Sequence, residues 1–282
     1  MRHWSQRLGD FIPGFFEQSP ALRTLSRRCA VILHGSTTLG VDDAFSDLDV
    51  WVLVSPDALR QAESIAATRF FSFTLDGKPG HFNLEAVDEA IGRVRQCDME
   101  RIAELRQCHI LTDPEGTAHD LVAMAKQPMS DSVRKTWFCH HYVEMRASHR
   151  NCDNPLERGD ALAFLQGLVP TLNHSLRAAM VLDREPYPYI KWLGRVAAQT
   201  LTGRRLIPLV HEVLDLIATD ALRYPGPERD HPLGKNLREI RRLLVESARA
   251  GGIDEPWLER WWVHITQAAE GIKSANWCPA EC

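Results

Sequence analysis

The chain has 282 residues, 44% of them hydrophobic and 25% charged, with a formal net charge of -4 and a pI near 6.3. That length exceeds what one core fills comfortably, so two domains are expected. The acidic balance excludes a generally basic surface of the kind that binds a polyphosphate backbone, leaving at most a local basic cleft, and nucleic acid is not expected as a partner. There is no apolar run of about eighteen residues and no apolar core of a secretion signal near the N-terminus, so no membrane association is expected. The seven cysteines, Cys29, Cys97, Cys108, Cys139, Cys152, Cys278 and Cys282, are scattered and form no Cys-x-x-Cys pair. They read as reduced thiols of a cytoplasmic protein.

Residues 3–27 carry apolar positions at helical spacing, broken by Pro13 and Pro20, which predicts one interrupted or two short helices. Cys29 to His34 and Asp47 to Val54 read as strands, and Pro56 opens a helix to about Ala67. Phe70 to Leu75 and His81 to Val87 flank the turn signal Asp76-Gly77-Lys78-Pro79-Gly80 and make a hairpin. Helices follow near 88–96 and 98–107, then a strand at 108–112 and a helix to about Lys126. Beyond Pro128 only helical periodicity remains, at about 129–150, 155–182, 189–201, 206–222, 235–250 and 256–273. Trp257, Trp261 and Ile265, with Leu258 and Trp262, form an apolar stripe on the last of these. The fold class is therefore α+β: a mixed sheet flanked by helices over 1–127, then an all-α bundle over 128–282.

The chemistry concentrates in Val31-Ile-Leu-His-Gly35-Ser36, ten intervening residues, then Asp47-Leu48-Asp49-Val50-Trp51-Val52. Residues two apart on a strand point the same way, so Asp47 and Asp49 project together while Leu48 and Val50 enter the core. Two carboxylates held this close repel unless a cation lies between them, and their hard oxygens suit Mg2+ or Mn2+. Gly35-Ser36 matches a strand-to-helix turn, where glycine admits a phosphate to the backbone and the following amides and serine hydroxyl can donate to it. A phosphate cradle beside a metal pair is what displacement at a nucleotide phosphorus requires.

This stretch resembles the signature of the polymerase beta nucleotidyltransferase superfamily, which includes aminoglycoside and lincosamide nucleotidyltransferases and the minimal nucleotidyltransferases of toxin-antitoxin pairs. The resemblance implies that Gly35 and Ser36 hold the triphosphate of ATP or another NTP and that Asp47 and Asp49 bind the metal. The family commonly has a third carboxylate on a later strand. Glu85, in His81-Phe-Asn-Leu-Glu-Ala-Val, is the candidate, sharing a face with Asn83. It would either complete the metal site or take the proton of an attacking hydroxyl.

In this superfamily an appended helical domain usually chooses the acceptor, and residues 128–282 would do so here. Pro186-Tyr-Pro-Tyr-Ile-Lys-Trp-Leu193 looks like a segment of bacterial nucleotidyltransferase-like proteins with a helical C-terminal domain. Tyr189 offers a hydroxyl and a flat face, and Lys191 a mobile cation for nucleotide. Glu144 reads as an exposed helix acid more than as a base, and His140-His141 with His149 as ordinary helix positions more than as a metal site.

The leading expectation is an enzyme that transfers a nucleoside monophosphate, AMP from ATP, to a hydroxyl of a small molecule or protein. A second is a toxin-antitoxin component acting on a partner, suggested only by the loose Arg134-x5-His140 spacing. A third, a nucleotide sensor without turnover, follows if Glu85 lies away from the acid pair.

Overall fold

The computed structural model describes residues 2–25, 28–219, 221–223 and 225–277. It divides into two compact units, one reaching Gln127 and the other running from Pro128 to Trp277.

The first unit runs α1 (Arg2–Gln18), α2 (Pro20–Arg23), β1 (Ala30–His34), α3 (Ser36–Leu39), β2 (Leu48–Val54), α4 (Pro56–Ala66), β3 (Phe70–Leu75), β4 (Lys78–Ala86), α5 (Val87–Arg95), α6 (Met99–Gln107), β5 (His109–Thr112) and α7 (Thr117–Ala125). Its five strands form one sheet in the order β3-β4-β2-β1-β5. β2 pairs parallel with β4, and the other neighbours are antiparallel. A hydrophobic chain through Leu48, Val50, Val52 and Val54 faces one core, with Val31 and Leu33 from β1 and Phe82 and Leu84 from β4. Alternation sends Asp49, Trp51 and Leu53 to the opposite face.

α1 closes the first face with Leu8, Ile12 and Phe16, four residues apart and all buried. Phe16 meets Phe82 edge-on at 5.4 Å, and Phe11 lies 5.3 Å from Phe73. This packing carries α1 through Pro13, where a break was expected; apolar burial offsets the hydrogen bond that proline removes. The break at Pro20 does occur, with proline at the first helical position of α2.

The β3–β4 connection is tighter than the five residues expected. Asp76 and Gly77 both take positive φ, 52° and 80°, so two residues reverse the chain in the manner of a type I′ turn. Thr74 then pairs with Pro79 and Leu75 with Lys78. Arg7 of α1 grips Asp76 through both carboxylate oxygens, at 2.7 and 2.6 Å.

The second unit comprises α8 (Asp131–Arg150), α9 (Asp153–Arg158), α10 (Ala161–Leu182), α11 (Leu193–Ala197), α12 (Leu201–Ala218), α13 (Pro232–Ala250) and α14 (Ile265–Ser274), with short 3-10 turns between some of them. α8 and α10 pack along each other, and α12, α13 and α14 pack around this pair. The single helix expected over 155–182 is split because Gly159 turns left-handed, φ 69°. Asp160 then caps α10 by accepting from the Ala163 amide at 3.0 Å. The 189–201 segment is a 3-10 turn over Ile190–Trp192 followed by α11. α12 starts earlier than its periodicity suggests, because Thr200 caps Gly203 and Asp183 accepts from the Thr202 amide and hydroxyl, both at 2.6 Å. The expected helix over 256–273 is two 3-10 turns before α14, so Trp257 is buried while Trp262 is 56% exposed and no continuous stripe forms.

Cys29 and Cys108 are free thiols pushed up to about 11 by burial, and Cys139 and Cys152 to about 12. Among the described residues no helix is long and apolar enough to cross a membrane.

Phe82 is fully buried between α1 and the sheet. Phe82→Ala is expected to cost about 3–5 kcal/mol, read as a lower urea midpoint for loss of the β-sheet circular-dichroism signal.

Candidate active site

β1 delivers the chain to Gly35, which takes φ 80° and ψ -154°, a conformation open essentially to glycine alone. A Cβ there would stand 2.3 Å from Asp49 Oδ2. Backbone shape and the neighbouring carboxylate therefore both demand glycine. The Gly35 carbonyl accepts from the Thr38 and Leu39 amides at 3.1 Å and the Thr38 hydroxyl at 3.1 Å, closing the short α3. Ser36, Thr37 and Thr38 are all buried, and the Thr37 hydroxyl makes no hydrogen bond.

Asp49 is the second residue of β2, opposite His34 on β1 and His81 on β4. Asp47 lies one residue before the strand begins, a shift of one from the expected boundary. The two acids nonetheless stay together. With His81 they place one ligand atom each within 4.8 Å of one another. His81 Nε2 lies 2.8 Å from Asp49 Oδ1, and Nδ1 lies 3.6 Å from Asp47 Oδ2. Phe70 of β3 stacks on the imidazole at 4.6 Å and fixes its plane.

No protein-family model matches the chain, and no curated protein matches it. Among solved structures, a nucleotidyltransferase-like protein from Exiguobacterium sibiricum 255-15 is similar at 13% identity and a TM-score of 0.46, over 95% of this chain and 86% of that one.

The hydrogen bond that His81 donates to Asp49 raises the His81 pKa above the ordinary imidazole value against the opposing effect of burial, and the charges of Asp49 and Asp47 add to the rise. The acid pair thus favours the protonated form of His81. The donor set, two carboxylates and one imidazole around a glycine cradle, fits a divalent cation that accepts oxygen and nitrogen, Mn2+ as well as Mg2+.

His81 is the residue that sequence reasoning missed. Period-two alternation places His81, Asn83 and Glu85 on one face, but which of them meets Asp49 depends on the register between β2 and β4. That register pairs Asp49 with His81, Trp51 with Asn83 and Leu53 with Glu85.

Glu85 as catalytic residue and metal ligand is accordingly corrected. It sits opposite Leu53, four residues beyond Asp49, about 13 Å away at the usual rise of a strand. Its carboxylate is buried and faces Arg101 at 3.0 Å and Arg93 at 3.7 Å. The Arg101 contact is within ion-pair range but not aligned as a hydrogen bond, since Glu85 Oε2 has no hydrogen-bond partner. Burial raises the Glu85 pKa and lowers that of Arg101, each opposed by the partner's charge. Arg101 also lies 3.6 Å over the Trp51 ring, and His34 stacks on Trp51 at 3.6 Å. This column of charge and rings fills the sheet face beyond the acid pair.

Lys191 belongs to the second unit, on the 3-10 turn after Tyr189, with its ammonium 4.9 Å from the Trp192 ring centre. Lys191 and Tyr189 are both exposed. Arg134 donates to the Gly251 carbonyl at 2.8 Å, joining α8 to the end of α13. His149 pairs with Glu228 at 3.1 Å and does not join His140 and His141.

In metal-free protein, the His81 imidazole is expected to titrate above the usual 6.5 and to fall toward it in Asp49→Asn, as read by NMR. Because the folded value is the raised one, the associated stabilisation is complete at pH below the unfolded imidazole value and fades as pH climbs through the folded value. Glu85→Ala leaves Arg101 buried without its carboxylate and is expected to cost about 3–5 kcal/mol of stability, while cation affinity per folded molecule stays unchanged. Denaturant unfolding and metal titration of the same variant separate the two effects.

Proposed function

We propose that the protein is a metal-dependent nucleotidyltransferase that moves a nucleoside monophosphate, AMP from ATP, to a hydroxyl acceptor. The observation that carries this reading is the packing of the Asp49 carboxylate against the Gly35 backbone, with Asp47 and His81 beside it. Asp47 and Asp49 would hold Mg2+ or Mn2+, with His81 as the third donor. A cation bound there would neutralise triphosphate charge and polarise the α-phosphate.

The chain's own groups divide the remaining work. Gly35 leaves room for a phosphate oxygen at the backbone. The Ser36 and Thr37 amides open α3, so neither has a partner inside that helix, and the Ser36 and Thr37 hydroxyls lie at the same turn. His81 orients Asp49 through the 2.8 Å contact. As the acceptor oxygen bonds to the α-phosphorus, the bond from that phosphorus to the bridging α–β oxygen breaks, pyrophosphate departs with the electron pair, and the hydroxyl proton passes to solvent water. Lys191 and Tyr189, exposed in the helical unit, are that unit's proposed ligand-binding side chains.

The arginine-bound position of Glu85 favours one second reading, a nucleotide-binding regulatory protein without transfer. Both readings require ATP binding that depends on the divalent ion, and only the first requires label to leave ATP.

Purified protein incubated with α-labelled ATP, Mg2+ or Mn2+, and fractions of small molecules and proteins is expected to label one acceptor fraction. The Asp47→Asn/Asp49→Asn double variant is expected to lose at least the roughly 10²–10³-fold in rate typical of removing one transition-state charge stabiliser. Undiminished labelling by that variant overturns the mechanism, and metal-dependent ATP binding without label transfer selects the regulatory reading.

A further inference from the structure

The helical unit contains a second cluster of metal-ligand type that plays no part in the proposed transfer. His140 and His141 are neighbours on α8, and His174 comes from α10, the helix packed along it. Adjacent helix positions point about 100° apart, so two such rings can embrace a third that arrives from the next helix. Here they do. Ring nitrogens from all three lie within 4.8 Å of one another, and the ring centres are 4.9 Å apart for His140 and His141, 5.2 Å for His141 and His174, and 6.0 Å for His140 and His174.

The hydrogen-bond accounting within the cluster is incomplete. His141 is 2% exposed, and its Nδ1 faces His174 Nδ1 at 3.0 Å. One N–H between these two nitrogens would satisfy that pair only. His141 Nε2 and His140 Nδ1 remain buried without any hydrogen-bond partner, a costly arrangement for polar nitrogens away from water. A cation accepting lone pairs relieves only the nitrogens turned toward it: taking the facing Nδ1 atoms of His141 and His174, it leaves His141 Nε2, on the other side of that ring, unpaired. Tetrahedral zinc with nitrogen ligands near 2.0–2.1 Å spaces those nitrogens about 3.3 Å apart, close to the 3.0 Å already present between two of the rings.

We propose that His140, His141 and His174 form a binding site for a divalent transition ion of the zinc type, independent of the Asp47–Asp49 pair. Imidazole is the donor class that suits Zn2+ over Mg2+, and three imidazoles leave a fourth position for water. The surroundings hold the rings in place. Trp137 packs 5.9 Å from His140 and 5.6 Å from His141, and Tyr187 meets His141 edge-on at 5.0 Å. The Ala268 backbone supports His140, the kind of outer contact that orients a ligating imidazole. Arg177, stacked over Tyr187 at 5.0 Å, brings positive charge to the cluster, and Glu144 opposes it at His140. The remaining group of ligand type, His149, Asp153 and Glu228, is instead engaged by arginines: Arg150 reaches Asp153 at 2.9 Å, and Arg238 pairs with Glu228.

The test uses the full chain, stripped with chelator, titrated with Zn2+ alone and desalted before metal analysis. The Asp47→Asn/Asp49→Asn variant is expected to retain one zinc per chain, and adding His140→Gln and His174→Gln is expected to abolish it. In His174→Gln alone, zinc affinity is expected to fall by more than the roughly 10–100-fold that loss of a supporting contact costs. X-ray absorption at the zinc edge of the unsubstituted chain, which needs no variant to fold, is expected to include scattering from three imidazole rings. The proposal is overturned if the histidine variants keep the same zinc content, if the chain takes up no zinc, or if the absorption spectrum shows oxygen ligation with at most one imidazole.

Discussion

Two carboxylates on one edge of a β-strand are a repulsive arrangement, and the first unit is organised around tolerating it. Asp49 is pressed against a backbone that only glycine can form, and a side chain at Gly35 would overlap its oxygen at 2.3 Å. Positive charge must therefore arrive from elsewhere. His81 is placed to supply it when protonated, carried there by the parallel pairing of β4 with β2 and stacked on Phe70. A cation between the carboxylates and a proton on His81 would answer the same electrostatic demand and so would compete for one location.

The rest of that sheet face is not vacant surface. Trp51 lies between His34 on one side and the Arg101 guanidinium on the other, and Arg101 in turn meets Glu85. An ion pair this buried contributes little net stability, because desolvation offsets its attraction, yet removal of either partner strands the other charge. Glu85 thus holds α6 against the sheet, one alternation along the strand from the Trp51–Asn83 pair and two from the pairing of Asp49 with His81. The opposite face carries the apolar core, with α1 supplying Leu8, Ile12 and Phe16 over Phe82. That layer packs the underside of β2, behind the strand end where Gly35 and the two like charges lie.

The helical unit uses different means. Of its longest helices, α10 buries a run of aliphatic residues and α8 a mixture of aromatic and aliphatic ones, but their shared seam also carries His141 and His174 with nitrogens facing at 3.0 Å. Polar groups in such a seam specify how two helices align, because a shifted register would leave more of them unpaired. Capping decides where these helices start: Asp160 and Thr200 each accept a backbone amide at the first turn of α10 and α12.

The sequence by itself determined the elements whose physics is local. Period-two alternation put Asp47 and Asp49 on one side of β2, Gly35 marked the turn that nothing bulkier could make, and the loss of strand signals beyond residue 127 separated a mixed sheet from helices. Cap residues and an Asp-Gly turn were also present to be read, although the turn closes in two residues and not five because both take positive φ. Tertiary structure alone decided which side chain of β4 meets the acids. A strand's pattern specifies its faces but not its offset against a parallel neighbour, so His81 and Glu85 were equivalent until the pairing of Asp49 with His81 separated them by two full alternations. The same holds for His174, which reaches His140 and His141 only because α10 packs along α8, a contact 33 residues away in sequence that no local spacing encodes.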